Sequence, residues 1–280
     1  RRGADRQEDR MMAGTRSIRL SVELQALMGR AFVWIVGPAY IALLLLLGYR
    51  LRGLRAVRRA VAEELDRHRG PWLVCANHLT MIDSLILIYA MFSLPDHFRR
   101  FRQIPWNLPE RNNFQKNPLL AVLCYLAKCI AITRGGDRSE MKRTLDKCAY
   151  LMETERNLLV FPEGGRSRTG HVNAETFSYG IGRFIKDFPG CRVMCLYLRG
   201  DGQTSYSTVP KFGDRFTIAM EAFAPERTAA EGLRAQREYA AQIIRRLVRM
   251  EEQYFALYRQ RSSGSAGTRQ SGEKPGCALP

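Results

Sequence analysis

Apolar runs of strand length recur along the chain near 72–76, 129–133, 157–161, 193–198 and 215–221, and longer stretches with apolar residues at helical spacing lie between them. The clearest helix starts at Asp137. Met141, Leu145, Cys148 and Met152 fall on one face, and Asp137 with Glu140 makes a capping-box pattern. Further helices are predicted near 81–93, 117–128, 174–187 and 227–258. Such alternation, with no internal repeat, predicts an α/β fold, layered, with a largely parallel sheet flanked by helices.

A different pattern precedes these elements. Ala31 to Gly48 is eighteen residues without a charge and includes Leu43 to Leu47. That is at the lower limit for a bilayer crossing, which needs roughly 20 residues. Gly37-Pro38 near its middle is expected to kink it, so two outcomes compete: a single span, or a bent segment embedded in one leaflet. Arg50, Arg52, Arg55, Arg58 and Arg59 outweigh Arg16, Arg19 and Arg30 on the other flank, which puts the region that follows on the cytoplasmic face. Arginines rather than a small-residue cleavage site follow the segment, so a cleaved signal peptide does not fit.

The expected organisation is 1–20 disordered, 21–69 a membrane-associated helical segment with a basic linker, 70–260 the α/β domain, and 261–280 a disordered Ser/Gly-rich tail. Residues 1–10 precede Met11 and Met12 and read as a tag remnant or an over-extended start.

A net charge of +17 asks for an anionic partner, and membrane lipids and nucleic acid both qualify. The apolar segment beside the arginine cluster is useful at a bilayer and wasteful on DNA, and no nucleic-acid motif is present. Membrane lipids are therefore the expected partner, and no nucleic acid. Phe98-Arg99-Arg100-Phe101-Arg102, with Trp106 nearby, reads either as an interfacial anchor or as a solvated loop with two core phenylalanines. The seven cysteines sit mostly in apolar runs rather than at ligand or disulfide spacings, as buried thiols in a reducing compartment do. Gly180-Ile181-Gly182 lacks the third glycine of a dinucleotide fingerprint and reads as close helix packing. His68 and His97 lie in basic, surface-like stretches, and His171 reads as a solvated loop residue.

Candidate chemistry is concentrated in two places. In Asn77-His78-Leu79-Thr80-Met81-Ile82-Asp83, five helical steps would set His78 and Asp83 about 140° apart, so His78 is placed on a loop with Asp83 in the first turn of the helix after it. From there Asp83 can reach back to one imidazole nitrogen, fixing the tautomer so that the other accepts a proton. The structural alternative makes Thr80 an N-cap with Asp83 its capping-box partner. In Phe161-Pro162-Glu163-Gly164-Gly165-Arg166-Ser167-Arg168, adjacent glycines allow positive φ and turn N–H groups toward an anion, with Arg166 and Arg168 as planar forks.

With these two motifs in this order, the chain closely resembles the glycerolipid acyltransferases typified by 1-acylglycerol-3-phosphate acyltransferase, whose signatures are N-H-x4-D and F-P-E-G-x-R-S. The likeness covers roughly residues 70 to 225. It implies that His78 is the general base and Asp83 its orienting group, and that Glu163, Gly164, Gly165, Arg166 and Ser167 shape the acceptor site. It also implies that Arg134, after the run at 129–133, contacts phosphate. The implied reaction moves a fatty acyl chain from acyl-CoA or acyl carrier protein to a lipid hydroxyl, with no acyl-enzyme, no cofactor and no metal. The oxyanion donors are either backbone around Gly164-Gly165 or the Asn77 amide. Cys75, Ser84 and Ser167 are nucleophiles by type only, since His78 has a simpler role.

Two departures bear on the acceptor. The strand at 193–198 lacks a proline common in the family, and Gly165 replaces the threonine of many lysophosphatidate enzymes, as in glycerol-3-phosphate acyltransferases. Lysophosphatidate, glycerol-3-phosphate and amino-acid-containing lysolipids all stay open. A non-catalytic lysolipid- or carrier-binding membrane protein is the alternative of a different class, and it has no need of both His78 and Asp83.

Overall fold

The computed structural model describes residues 2–133, 135–203 and 207–267, with side chains described for 14–133, 135–203 and 207–257. In chain order the elements are α1 (Arg2–Leu46), β1 (Arg50–Arg52), α2 (Leu54–Arg67), β2 (Trp72–Ala76), α3 (Asp83–Met91), α4 (Leu94–Arg99), β3 (Trp106–Asn107), α5 (Pro118–Leu126), α6 (Arg138–Glu153), β4 (Leu158–Val160), α7 (Gly180–Asp187), β5 (Arg192–Gly200), β6 (Arg215–Phe223) and α8 (Gly232–Gly267). The strands form one sheet in the order β1-β6-β5-β2-β4-β3, and every neighbouring pair is parallel except β5 with β6. The chain is thus an α/β protein with a largely parallel six-stranded sheet between helices, preceded by a long apolar helix.

Every residue of β2 is buried, as expected of a central strand covered on both faces. Period-two alternation divides its apolar run between two cores. Leu73 and Cys75 join Val193, Cys195 and Tyr197 of β5 beneath α6, α7 and α8. Trp72, Val74 and Ala76 join Met194, Leu196 and Leu198 beneath α2 and α3. Gly182 shows how close one layer comes, since a Cβ there would lie 1.9 Å from the Gln236 carbonyl oxygen of α8. The expected close helix packing at Gly180-Ile181-Gly182 is therefore real.

Several expectations need correction. The run at 129–133 forms no strand, only isolated bridges from Cys129 to Asn107 and from Ile132 to Glu110, beside the two-residue edge strand β3. β1 and β3 are too short and too polar to carry a periodic signal. The Asp137/Glu140 capping box does not form, and Asp137 instead accepts from the Ser139 hydroxyl. A full capping box stands where none was expected, between Ser93 and Asp96 at the start of α4. Residues 2–20, expected without order, are helical, and α1 runs through Pro38 as one helix. α8 likewise continues to Gly267, and residues 268–280 of the expected tail lie outside the described residues.

α1 holds together because one of its faces is seated on the domain along its length. Val22 is fully buried in the α6–α8 core. Gln25 Nε2 donates to the carbonyls of Tyr125 and Cys129 at 2.9 and 2.8 Å. Glu23 pairs with Arg156 at 2.6 Å, and Gly29 lets the helix approach the Leu126 carbonyl. Farther along, the Tyr40 hydroxyl meets His97 Nε2 at 2.6 Å, and Leu44 is buried. His97 is consequently a buried residue, not a surface one: its Nδ1 donates to the Ser93 carbonyl at 2.8 Å, and burial lowers its pKa below the ordinary imidazole value. Phe98 of the same stretch stacks on Trp34 at 3.8 Å, and Arg30 donates to the Phe98 carbonyl, so this aromatic–basic segment is the seat of α1. The opposite face of α1 exposes Leu20, Leu24, Leu27, Ile35 and Leu46, and the helix is long and apolar enough to cross a membrane.

Candidate active site

The sheet itself brings the two motifs together. β2 and β4 are parallel neighbours in register Cys75 with Val160, so the turns that leave their carboxyl ends, at 77–82 and 161–167, emerge side by side. Asn77 fastens the first turn to the other neighbour, β5. Its Oδ1 accepts from Leu198 N–H at 2.7 Å and its Nδ2 donates to the Leu198 carbonyl at 2.9 Å.

The backbone of His78 is then held from both sides by the second motif. Its N–H donates to Glu163 Oε1 at 2.9 Å, and its carbonyl accepts from Ser167 N–H at 2.8 Å. The imidazole stacks on Phe161, with centroids 4.0 Å apart and planes 17° from parallel. Its Nδ1 lies 3.0 Å from Asp83 Oδ2.

Asp83 is 1% exposed and opens α3. Besides His78 it accepts from Leu79 N–H at 2.6 Å, Thr80 N–H at 2.8 Å and the Thr80 hydroxyl. One carboxylate thus meets the ring nitrogen and also accepts the backbone N–H groups of the turn before the helix. The residue at the N-cap position is Ile82, not Thr80, which shifts the helix start by two residues from the capping-box pattern.

Glu163 is a hub between turns. Its Oε2 accepts from Asn173 N–H at 3.2 Å, and burial, opposed by these two backbone donors, pushes its pKa up to about 7. Of the two glycines only Gly164 takes positive φ, at 69°, and its N–H is already bonded to the Phe161 carbonyl at 3.1 Å. The picture of both glycines turning N–H groups outward is corrected accordingly. Ser167 is buried and donates its hydroxyl to the His171 carbonyl at 2.6 Å, a turn-closing role. Arg166 is half-buried beside it and Arg168 is exposed. Arg134 lies outside the described residues. Cys75 is fully buried and burial raises its pKa well above the ordinary thiol value, so it is no nucleophile.

A layer beneath the second turn escaped the sequence. Arg199 of β5 is buried and donates to the Gly170 carbonyl, while Glu251 of α8 accepts from Val172 N–H at 3.2 Å and from the Tyr197 hydroxyl at 3.2 Å. His171 is exposed as expected, with Nδ1 3.5 Å from Glu251 and its ring against Phe255. Phe161 and Asn77 could have been found, since each sits inside a motif. Nothing in the local pattern marks Arg199 or Glu251, which are joined to the turn only by the fold. A cavity of about 550 Å³ lies elsewhere, between α1 and α4, lined by Arg30, Trp34, Leu94, Pro95, Phe98 and Arg99.

A family model described as Acyltransferase matches residues 51–199, just over half of the chain, from within β1 to the end of β5. No curated protein matches the chain. Since the matched region contains both turns and the strands β2, β4 and β5 that join them, the chain belongs to the acyltransferase family.

Proposed function

We propose that the protein is a membrane-bound O-acyltransferase that moves a fatty acyl chain from acyl-CoA or acyl carrier protein to the hydroxyl of a lysophospholipid-type acceptor, 1-acylglycerol-3-phosphate. The observation that carries this reading is the 3.0 Å contact of His78 Nδ1 with Asp83, inside a turn held on both sides by Glu163 and Ser167. With the proton on Nδ1 fixed by Asp83, Nε2 takes the acceptor's hydroxyl proton as its oxygen bonds to the thioester carbonyl carbon. Collapse of the tetrahedral intermediate breaks the carbon–sulfur bond, and the same nitrogen returns the proton to the leaving thiolate. Arg166 offers the acceptor's phosphate a planar, permanently charged fork, and the family resemblance gives Arg134 the same role.

α1 supports attachment to a membrane. Its polar attachments to the domain, at Glu23, Gln25 and Tyr40, are spread along the helix. A crossing would carry those partners into hydrocarbon, whereas bedding the exposed face in one leaflet leaves them in place. α5 adds Leu119 and Val122 to the apolar surface. The arginines after α1 favour the cytoplasmic face for the catalytic domain.

The test is thiol release from acyl-CoA and from acyl carrier protein by the purified protein in vesicles, with lysophosphatidate, glycerol-3-phosphate and an amino-acid-containing lysolipid as acceptors. Transfer to lysophosphatidate that disappears in His78→Ala supports the reading. A preference for another acceptor moves the substrate assignment. Binding without turnover by the parent protein would make it a lysolipid-binding member instead.

A further inference from the structure

The loop 207–214 joins the end of α1 to the catalytic turn. At one end the Thr208 carbonyl accepts from Met81 N–H at 3.0 Å, three residues from His78. At the other, Gly213 N–H donates to the Leu47 carbonyl at 2.9 Å, and Gly213 Cα would stand 3.0 Å from a Cβ on Gly48. Between them the Pro210 carbonyl accepts from the buried Tyr49 hydroxyl at 3.0 Å. The loop is therefore a strap fixed at three points.

Two apolar side chains of the strap are turned to solvent, while Pro210 and Asp214 are buried. Phe212 is 79% exposed and Val209 54%, and they stand between Leu46 of α1 at 77% and Met81 of the catalytic turn at 39%. Single exposed apolar residues are ordinary, but these four continue the exposed face of α1 along hydrogen-bonded backbone to the residue beside the reacting centre. Lys211, Arg50 and Arg215 are exposed on the same strap and on the strand starts it joins. Apolar tips rimmed by cations match the interface of an anionic bilayer.

We propose that Val209 and Phe212 insert into the surface of an anionic phospholipid bilayer, and that this rim holds the mouth of the active site against the membrane so that a bilayer-resident acceptor reaches His78 without leaving the lipid phase. The proposal rests on the acyl-transfer reading for its purpose, though not for the contact itself. Among the described residues no hydrogen bond, ion pair or ring contact joins Val209 or Phe212 to His78, Asp83 or Glu163, so the effect is on delivery of substrate and not on the chemical step.

Two measurements test it on the whole chain. In the first, Val209→Glu with Phe212→Glu is assayed on long-chain lysophosphatidate carried in phosphatidylcholine–phosphatidylglycerol vesicles and on a short-chain acceptor free in solution. The expected result is a loss of about tenfold or more on the vesicle-borne acceptor, equivalent to one decade in apparent affinity, with the soluble acceptor unchanged. An equal loss on both, or none on either, overturns the proposal. In the second, a photocrosslinking residue replaces Phe212 or, as a control of similar exposure on α8, Leu233 at 75% exposed. Irradiation with the same vesicles should join lipid to position 212 and not to 233. No lipid adduct at 212, or an adduct with protein instead, overturns the proposal. If the parent protein transfers no acyl group, the functional reading fails while the crosslinking still decides the membrane contact.

Discussion

The backbone N–H of His78 donates to the Glu163 carboxyl at 2.9 Å, so the residue on the first turn is held in place by an acid on the second. The same acid holds Asn173 N–H at 3.2 Å. Glu163 therefore need not touch substrate to matter: it fixes where the imidazole stands relative to the arginine-bearing turn. This separation of roles is a source of distinguishable outcomes.

Glu163 titrates near neutrality, and that sets a pH dependence of stability. Its folded-state pKa of about 7 lies above the ordinary 4.5, so between those values the folded protein keeps a proton that the unfolded chain has lost. Stability from this group is thus full below about pH 4.5 and falls as pH rises to about 7, by on the order of 2–3 kcal/mol. Glu163→Gln keeps one acceptor oxygen and removes the titration. Denaturation midpoints at about pH 5 and about pH 7.5 should differ less in this variant than in the parent once other groups are matched. Parallel curves for the two proteins would show that burial does not hold the proton.

Asp83→Asn separates charge from contact. The three donors from His78 Nδ1, Leu79 N–H and Thr80 N–H share Oδ2, so the amide oxygen can still accept them with its NH2 toward the Thr80 hydroxyl, and what is lost is the negative charge behind the imidazole and the charge-assisted strength of those bonds. Turnover should fall by roughly 10²–10⁴-fold and folding stability by about 1–3 kcal/mol. His78→Ala should lose comparable turnover with little change in stability, because its side chain contributes one ring contact and one bond. Retention of activity within a few-fold in His78→Ala, measured by thiol release, would remove the general-base assignment.

Much of this site could be read before the fold was known, and the reason is local. His78 and Asp83 are linked within one turn, and Glu163, Gly164 and Ser167 within another, so residue spacing alone limits what they can do. The central strands β2, β4 and β5 were legible because burial on both faces leaves continuous apolar runs. β1 and β3 were not, since three basic or leucine residues and a Trp-Asn pair have no period. His97 was misread because its neighbours in sequence are arginines, while its neighbours in space are Tyr40 and Ser93. Likewise Arg199 and Glu251 support the second turn from β5 and α8, at distances in sequence where no pattern reaches.

Asn77→Ala tests the link between the turn that carries His78 and the sheet. Both polar atoms of the side chain are bonded to Leu198, and removing them strands a buried N–H and a buried carbonyl at the end of β5. The expected cost is about 2–4 kcal/mol in denaturant unfolding, with a fall in kcat from a displaced His78. Full stability with only kcat reduced would point instead to a direct role for the amide in the reaction.

Arg166→Ala probes the acceptor end. If the guanidinium grips the acceptor's phosphate, acceptor KM should rise about tenfold or more while KM for the thioester donor stays within a few-fold. An effect confined to the donor would mean that the phosphates of coenzyme A or of the carrier's prosthetic arm, and not those of the lipid, occupy this turn.

Gly182 offers a test of packing at a distance from the chemistry. A methyl group there would lie 1.9 Å from the Gln236 carbonyl oxygen and under 3 Å from Gln236 Cα, both backbone atoms that no rotamer change can move. α7 must therefore shift away from α8, against a core that includes Ile181, Phe184, Ala240 and Ile243. Gly182→Ala should cost about 1–3 kcal/mol, and Gly182→Val more, read as a lowered midpoint in thermal or denaturant unfolding. Gly180→Ala serves as the control, because its nearest neighbour is the Ser178 hydroxyl at 3.7 Å, an ordinary contact. The α7–α8 layer also touches the second turn, through Ser178 N–H to the Pro162 carbonyl at 2.8 Å and Glu251 to Val172 N–H, so a shift of α7 should lower activity per folded molecule more in Gly182→Val than in Gly182→Ala.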